Sequence, residues 1–267
     1  MNTHYPSDLT DAQWTCLRRH LPLATALRQR RHSLRRVFDA IFYLLRTGCP
    51  WRFLPADFPP WQAVYYYFRR FRLDGLWGGI LAALRRAERM RVGRDPQPSA
   101  AIIDAQSVKT VEESARISGY DGHKRIKGRK RGRPLGSMLV DTLGLPISIS
   151  VTSAGVHDKV GAWRLLADLK PLVPRLAKIW ADGAYTSGKL ARWCREYGGW
   201  DLAIVERDPE VQGFAVQPRR WVVERSFAWL VRNRRLRIDD ERKLQTSETL
   251  IEVAFIRLLV RRLAKGE

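Results

Sequence analysis

The hydrophobic period of this chain changes once, near residue 92, and that change limits the fold more than any other feature. Before it, apolar residues recur at helical spacing; after it, they gather into runs of strand length. In SLRRVFDAIFYLLRTG, residues Leu34, Val37, Phe38, Ile41, Leu44 and Leu45 share one helical face, opened by Ser33 and ended by Gly48. Asp8 or Thr10 is placed to cap an earlier helix that runs to about Leu21, before Pro22. The connector CPWRFLPADFPP holds four prolines in twelve residues, and Pro60 suits the first turn of a third helix, WQAVYYYFRRFRLDG. A fourth helix follows Gly75 and is expected over 76–91. Residues 1–92 therefore read as a small all-helical domain with a large share of the aromatic residues.

Residues 93–100, rich in Pro, Gly and Ser, read as a linker. Beyond it lie apolar runs of strand length at 101–103, 138–140, 147–151, 179–181 and 202–205. Helical patterns occupy about 159–170, 187–197, 219–233 and 248–264. Three early strands followed by alternating helices and strands predict an α/β domain over 101–267.

The chain carries 48 Lys+Arg against 27 Asp+Glu, a formal charge of +21, with 45% hydrophobic residues. Enough apolar material is present for a sizeable core, which excludes a disordered basic tail. An enzyme for neutral small molecules has no use for such a surplus, so the expected partner is a polyanion, with no small-molecule substrate. No uncharged apolar run approaches the roughly 18–20 residues of a bilayer span, so a membrane is not expected as the partner. The start, MNTHYPSDLTDAQW, has neither the basic nor the apolar region of a secretory signal, and the cytoplasm is the expected compartment. Cys16, Cys49 and Cys194 lack any paired spacing and read as buried or half-buried thiols.

Two apolar runs end on a carboxylate: AAIID on Asp104 and KIWAD on Asp182. Taken singly, each is equally a turn former. A third carboxylate, Glu224, lies in PRRWVVERSFAWLVRNRR at the margin of a stripe made by Val223, Phe227 and Leu230. Arg220 one turn before it offers either an i−4 salt bridge or a phosphate contact. Carboxylates converging from two strands and a helix can hold two divalent cations about 3.5–4 Å apart, the arrangement used for in-line phosphoryl displacement. Oxygen-only ligation suits Mg²⁺ or Mn²⁺. The chain has no GxxxxGK[ST] loop, which excludes a P-loop nucleotidase.

Between the first two strands, residues 124–133 hold seven Lys/Arg in ten positions and read as a basic loop. Lys124, Arg125, Lys127, Arg129, Lys130 and Arg131 are candidates there for sequence-independent phosphate contacts, with a solvated loop as the bland alternative. In the third helix Arg69 and Arg70 stand beside Tyr65, Tyr66 and Tyr67. They read either as a helix-turn-helix recognition element or as the wet edge of an amphipathic helix.

The ordered segments LTDAQWTCLRRHLP, TGCPWRFLPADFPPWQAVYYYFRRF, DAQSVKT, GYDGHKRIKGRKR, LVDTLG, IWADGAY, PRRWVVERSFAWLVRNRRL and IRLLVRRLA resemble the DDE transposases of bacterial insertion sequences, in the insertion-sequence-five family. The resemblance covers nearly the whole chain. It implies an RNase H-like catalytic domain, a mixed sheet with flanking helices, preceded by a small helical, helix-turn-helix-like domain. Asp104, Asp182 and Glu224 are then the catalytic, metal-binding triad, with two Mg²⁺ or Mn²⁺ ions. The implied activity is metal-dependent hydrolysis of DNA at the terminal inverted repeats, followed by joining of the 3′-hydroxyl ends to target DNA. The protein would act as a homo-oligomer on DNA, associated with the nucleoid. Arg220, Arg232 and Lys109 become candidate DNA contacts. The sequence departs from the family at Gln217 and Val231, where a tyrosine and a lysine are expected, and at 132–137, where about five residues look inserted. Two alternatives stay open at this point: an inactive relative that only binds DNA, and an RNase H-type nuclease without strand joining.

Overall fold

The computed structural model describes residues 5–22, 31–104, 106–109, 119–121, 126–131, 138–153, 158–205 and 219–265. Helices α1 (Asp11–Arg18), α2 (Leu34–Thr47), α3 (Trp61–Leu73) and α4 (Leu76–Arg91) come first. Strands β1 (Ala100–Asp104), β2 (Gln106–Lys109), β3 (Gly119–Asp121), β4 (Ile126–Arg131), β5 (Met138–Asp141), β6 (Pro146–Ile149) and β7 (Val151–Ser153) follow. The chain continues through α5 (Asp158–Ala167), β8 (Lys178–Asp182), α6 (Gly188–Trp193), β9 (Asp201–Val205), α7 (Arg220–Val231) and α8 (Leu244–Leu263). Two compact units result: Met1–Arg94 with Arg232–Arg237 and Thr249–Glu267, and Asp95–Val231 with Ile238–Glu248.

In the first unit the caps follow from local chemistry. Thr10 and Gln13 bond each other's backbone at the start of α1, and the helix closes at Arg18, short of the expected Leu21. Asp8, the other candidate cap, is buried beside Arg36 at 3.3 Å. Gly48 ends α2 at φ +79°, its N–H donating to Leu44 O at 2.9 Å. The aromatic surplus becomes core: Trp77 meets Phe38 at 5.2 Å and Phe71 at 5.6 Å between ring centres. Its indole N–H donates to Phe68 O at 3.0 Å, so the ring is buried without an orphaned donor. Asp74 and Gly75 alone join α3 to α4. The C-terminal part of α8 packs in this unit, where Arg262 stands 3.7 Å from the buried Glu88.

The second unit is built on a five-stranded sheet of order β6-β5-β1-β8-β9. β5 runs antiparallel to β1 and to β6, while β8 and β9 run parallel with β1. This is the mixed sheet with flanking helices expected for the domain. Side chains alternate across it. Ala101, Ile103, Leu139, Ile179 and Ala181 face a core completed by Leu165, Leu166, Leu190 and Trp200. Cys194 lies in that core, where burial pushes its thiol up to about 11, and none of the three cysteines forms a disulfide.

The basic segment read as a loop contains a strand instead. β4 pairs antiparallel with β2 along 128–131, with β3 along 126–128 and with β7 along 129–131. Backbone ladders hold it on both sides, so it needs no apolar alternation, and periodicity could not reveal it. The run 147–151 likewise divides at Ser150 into β6 and β7, which belong to different sheets.

Candidate active site

The parallel pairing of β1 with β8 keeps a constant offset: Ala100 beside Lys178, Ala101 beside Ile179, Ile102 beside Trp180. Continued two residues, the same register sets Asp104 beside Asp182 at the C-terminal ends of adjacent strands. Because Ala101, Ile103, Ile179 and Ala181 point into the core, Asp104 and Asp182 fall on the opposite face. Both are nearly buried, at 5% and 8% exposure. Asp182 is held in part by its own turn, where Oδ1 accepts from the Ala184 N–H at 3.1 Å.

A single guanidinium joins the pair. Arg220 Nη2 lies 3.6 Å from Asp104 Oδ2 and 3.7 Å from Asp182 Oδ2. Two carboxylates so close and so dry repel one another, and the shared cation offsets that repulsion. The i−4 bridge from Arg220 to Glu224 is not formed; Glu224 is exposed on α7 and has no ion pair among the described residues. Arg219, just before α7, adopts φ +69°, the one positive φ at a non-glycine residue among those described. Its guanidinium lies 4.3 Å from the centre of the Trp180 ring, on the face of β8 that carries Asp182. A side chain held in this region costs of order 1–3 kcal/mol, and such residues cluster at functional sites.

What presses α7 onto the sheet is the turn between β5 and β6, in the LVDTLG segment. Asp141 is fully buried, and its Oδ1 accepts from the N–H groups of Leu143 and Leu145, both at 2.9 Å. That turn places Gly144 at φ +80°, with its carbonyl accepting from Ser226 Oγ at 2.7 Å. Arg225 Nη2 adds a bond to Leu143 O at 3.0 Å. The helix bearing Arg220 and Glu224 is therefore docked through a glycine turn. Asp141, Gly144, Ser226, Arg219 and Trp180 were not among the expected site residues. Their signals in the sequence are the D-T-L-G turn for Asp141 and Gly144, and membership of the IWADGAY and PRRWVVERSFAW segments for Trp180, Arg219 and Ser226.

Asp104 and Asp182 offer oxygen ligands only, and they already balance one positive charge, so the pair suits a hard divalent cation. Glu224 does not close on it: among the described residues no three acidic, histidine or cysteine side chains are gathered to share one ion. The remaining candidates sit elsewhere along the chain. Lys109 is exposed on β2, its carbonyl accepting from the Asp239 N–H at 3.0 Å. Arg69 and Arg70 are exposed on α3, where Arg70 pairs with Asp74 at 2.8 Å. Arg232 is exposed and counts with the first unit, where its carbonyl accepts from Arg46. Lys124, Arg125, Gln217 and the segment 132–137 lie outside the described residues. Lys127, Arg129, Lys130 and Arg131 are described only as backbone of β4.

Comparison with known proteins adds sequence relatives. Residues 9–81 match the family described as "Putative transposase of IS4/5 family", and residues 95–259 match "Transposase DDE domain". The chain is 29% identical over 201 residues to the "Putative transposase for insertion sequence element IS402" of Burkholderia cepacia, covering 63% of this chain and 92% of that protein. No solved structure matches it. No helix among the described residues is long and apolar enough to cross a membrane.

Proposed function

The chain belongs to the DDE transposases, with an RNase H-like fold behind a helical region, and from that premise we propose that it binds the terminal inverted repeats of its own element, cuts the DNA there and joins the freed ends to target DNA. The observation that carries this reading is the pairing of Asp104 with Asp182 across one guanidinium, under a helix that bears Glu224. Asp104, Asp182 and Glu224 are the residues that would hold Mg²⁺ or Mn²⁺, two ions in the full site. When bound, such ions polarise the scissile phosphate and stabilise both the attacking and the leaving oxygen.

The chain's own groups do the rest. Asp104 and Asp182 present oxygen ligands from two rigid strand ends, and a strand is a more precise platform than a loop. Arg220 balances their charge while the site is empty of DNA and then contacts a phosphate beside the cut. Lys109, Arg69, Arg70, Arg232 and the basic residues 124–131 grip the backbone without reading sequence. Bringing two element ends together calls for at least two copies on DNA, in the bacterial cytoplasm at the nucleoid.

The test is nicking and strand joining on duplexes bearing the element's inverted repeats, with Mg²⁺ or Mn²⁺. Asp182→Ala and Glu224→Gln should each abolish cleavage, with end binding kept within a few-fold of wild type. Undiminished cleavage by Asp182→Ala overturns the triad. Binding without cleavage by the wild type, with either ion, favours a DNA-binding relative.

A further inference from the structure

The last helix of the chain carries cations that the carboxylate site does not use. In the first unit, a cavity of about 200 Å³ is lined by Ser7, Asp8, Thr10 and Gln13 on one side and by Arg257 and Arg261 of α8 on the other. No carboxylate among the described residues pairs with Arg257 or Arg261. Burial pushes the Arg257 guanidinium down to about 10, and the neighbouring charges of Arg261 and Arg46 push it the same way. Arg257, half-buried, thus lies near two further arginines, Arg261 and Arg46, both exposed, the latter donating to Arg232 O.

The opposite wall supplies an acidic group and a hydroxyl. Asp8 gives one carboxylate oxygen to other partners, its Oδ2 accepting from Arg36 Nη1 and from the Tyr5 N–H, both at 3.3 Å, while its Oδ1 is buried and accepts no hydrogen bond among the described residues. Ser7 is 7% exposed, and its hydroxyl is buried with no hydrogen-bond partner among the described residues. Leaving a buried hydroxyl unbonded costs about 1–3 kcal/mol, and a partly buried unpaired guanidinium costs more. One occupant removes both penalties: a compact oxyanion that accepts from the Ser7 hydroxyl and from the planar forks of the arginines.

We propose that this cavity is a phosphate site, held by Arg257 and Arg261 with the Ser7 hydroxyl, separate from the carboxylate site. A DNA backbone phosphate and free inorganic phosphate share that chemistry, and the experiment separates them. Thermal unfolding of the full chain is followed in inorganic phosphate and in chloride at equal ionic strength, for wild type, Arg257→Met and Arg261→Gln. The wild-type midpoint should rise with phosphate concentration. Both variants should lose that rise, while Arg257→Met in chloride melts no lower than wild type because an uncompensated buried charge has been removed.

In parallel, binding to a random-sequence duplex is measured against salt. A fall of about 0.9 in the slope of log K against log salt for Arg261→Gln assigns the site to a DNA phosphate. An unchanged slope with an intact wild-type phosphate response assigns it to the free anion. A wild type that responds to phosphate as it does to chloride, with an unchanged slope in the variant, overturns the proposal. So does a phosphate response that survives in Arg257→Met. None of these readouts involves cleavage, so failure of the transposition reading leaves them interpretable.

Discussion

Gly144→Ala should damage the protein far more than one methyl group on a turn suggests, and the structure sets the size. Gly144 sits at φ +80°, where an alanine costs about 1–2 kcal/mol from the clash of Cβ with its own carbonyl. The new Cβ would also lie 2.7 Å from Ser226 Oγ, 3.2 Å from Val222 O and 3.3 Å from the Trp229 ring. Ser226 is fully buried, and its hydroxyl bridges to Gly144 O and to Val222 O on its own helix, at 2.7 and 3.0 Å. It has nowhere to retreat. Displacing it forfeits a hydrogen bond worth about 1 kcal/mol and shifts α7, so the total is about 2–4 kcal/mol. For a unit of this size that lowers the unfolding midpoint by roughly 5–15 °C. The assay is thermal or urea unfolding of Gly144→Ala, Ser226→Ala and the double variant. Ser226→Ala alone should cost about 1 kcal/mol. In the double variant the clash is relieved, and the two changes should cost less together than separately by about 1 kcal/mol. Strict additivity, or a Gly144→Ala penalty under about 0.5 kcal/mol, refutes the claim that this turn clamps the helix of Arg220 and Glu224.

Arg220→Gln leaves two nearly buried carboxylates facing each other and should destabilise the chain by about 2–3 kcal/mol in chelator; the loss should shrink as Mn²⁺ is titrated in, and an equal loss with and without the ion counts against a shared cation site. Asp39 is buried and accepts from the Leu9 N–H at 2.9 Å; burial pushes its carboxyl up, while that bond and the neighbouring Arg36 pull the other way. The native state therefore holds this proton more tightly than the unfolded chain does, so stability from it is gained as pH falls through the raised value and is absent above it. Asp39→Asn keeps the acceptor and removes the titration. Its midpoint relative to wild type should fall as pH drops through the raised value, and a constant difference refutes the assignment. Neutralising Lys124, Arg125 and Lys127 together should flatten the salt dependence of DNA binding by about 0.9 for each phosphate no longer neutralised, and an unchanged slope places that segment off the DNA.

How much of this was legible depended on whether a residue's partner was near in sequence or pattern. The apolar runs AAIID and KIWAD both end on Asp because each strand delivers a polar residue to its C-terminal tip. Once the two strands pair in parallel, equal run lengths bring those tips level. Local caps were equally readable, as Thr10, Gly48 and Gly75 show. β4 was not, because a ladder on both edges substitutes for apolar alternation, and charge was the only signal its residues carried. Arg220 was read from its spacing to Glu224, yet its guanidinium turns to Asp104 and Asp182, 116 and 38 residues away in sequence. An i−4 rule describes an isolated helix, where the nearest acid is the neighbour one turn along. Here α7 lies over two carboxylates already drawn together, and a nearly buried pair attracts a cation more strongly than one exposed glutamate does. The same reasoning accounts for the exposed Glu224. With Arg220 turned to the aspartates, no cation among the described residues pairs with Glu224, and it stays at the surface of α7.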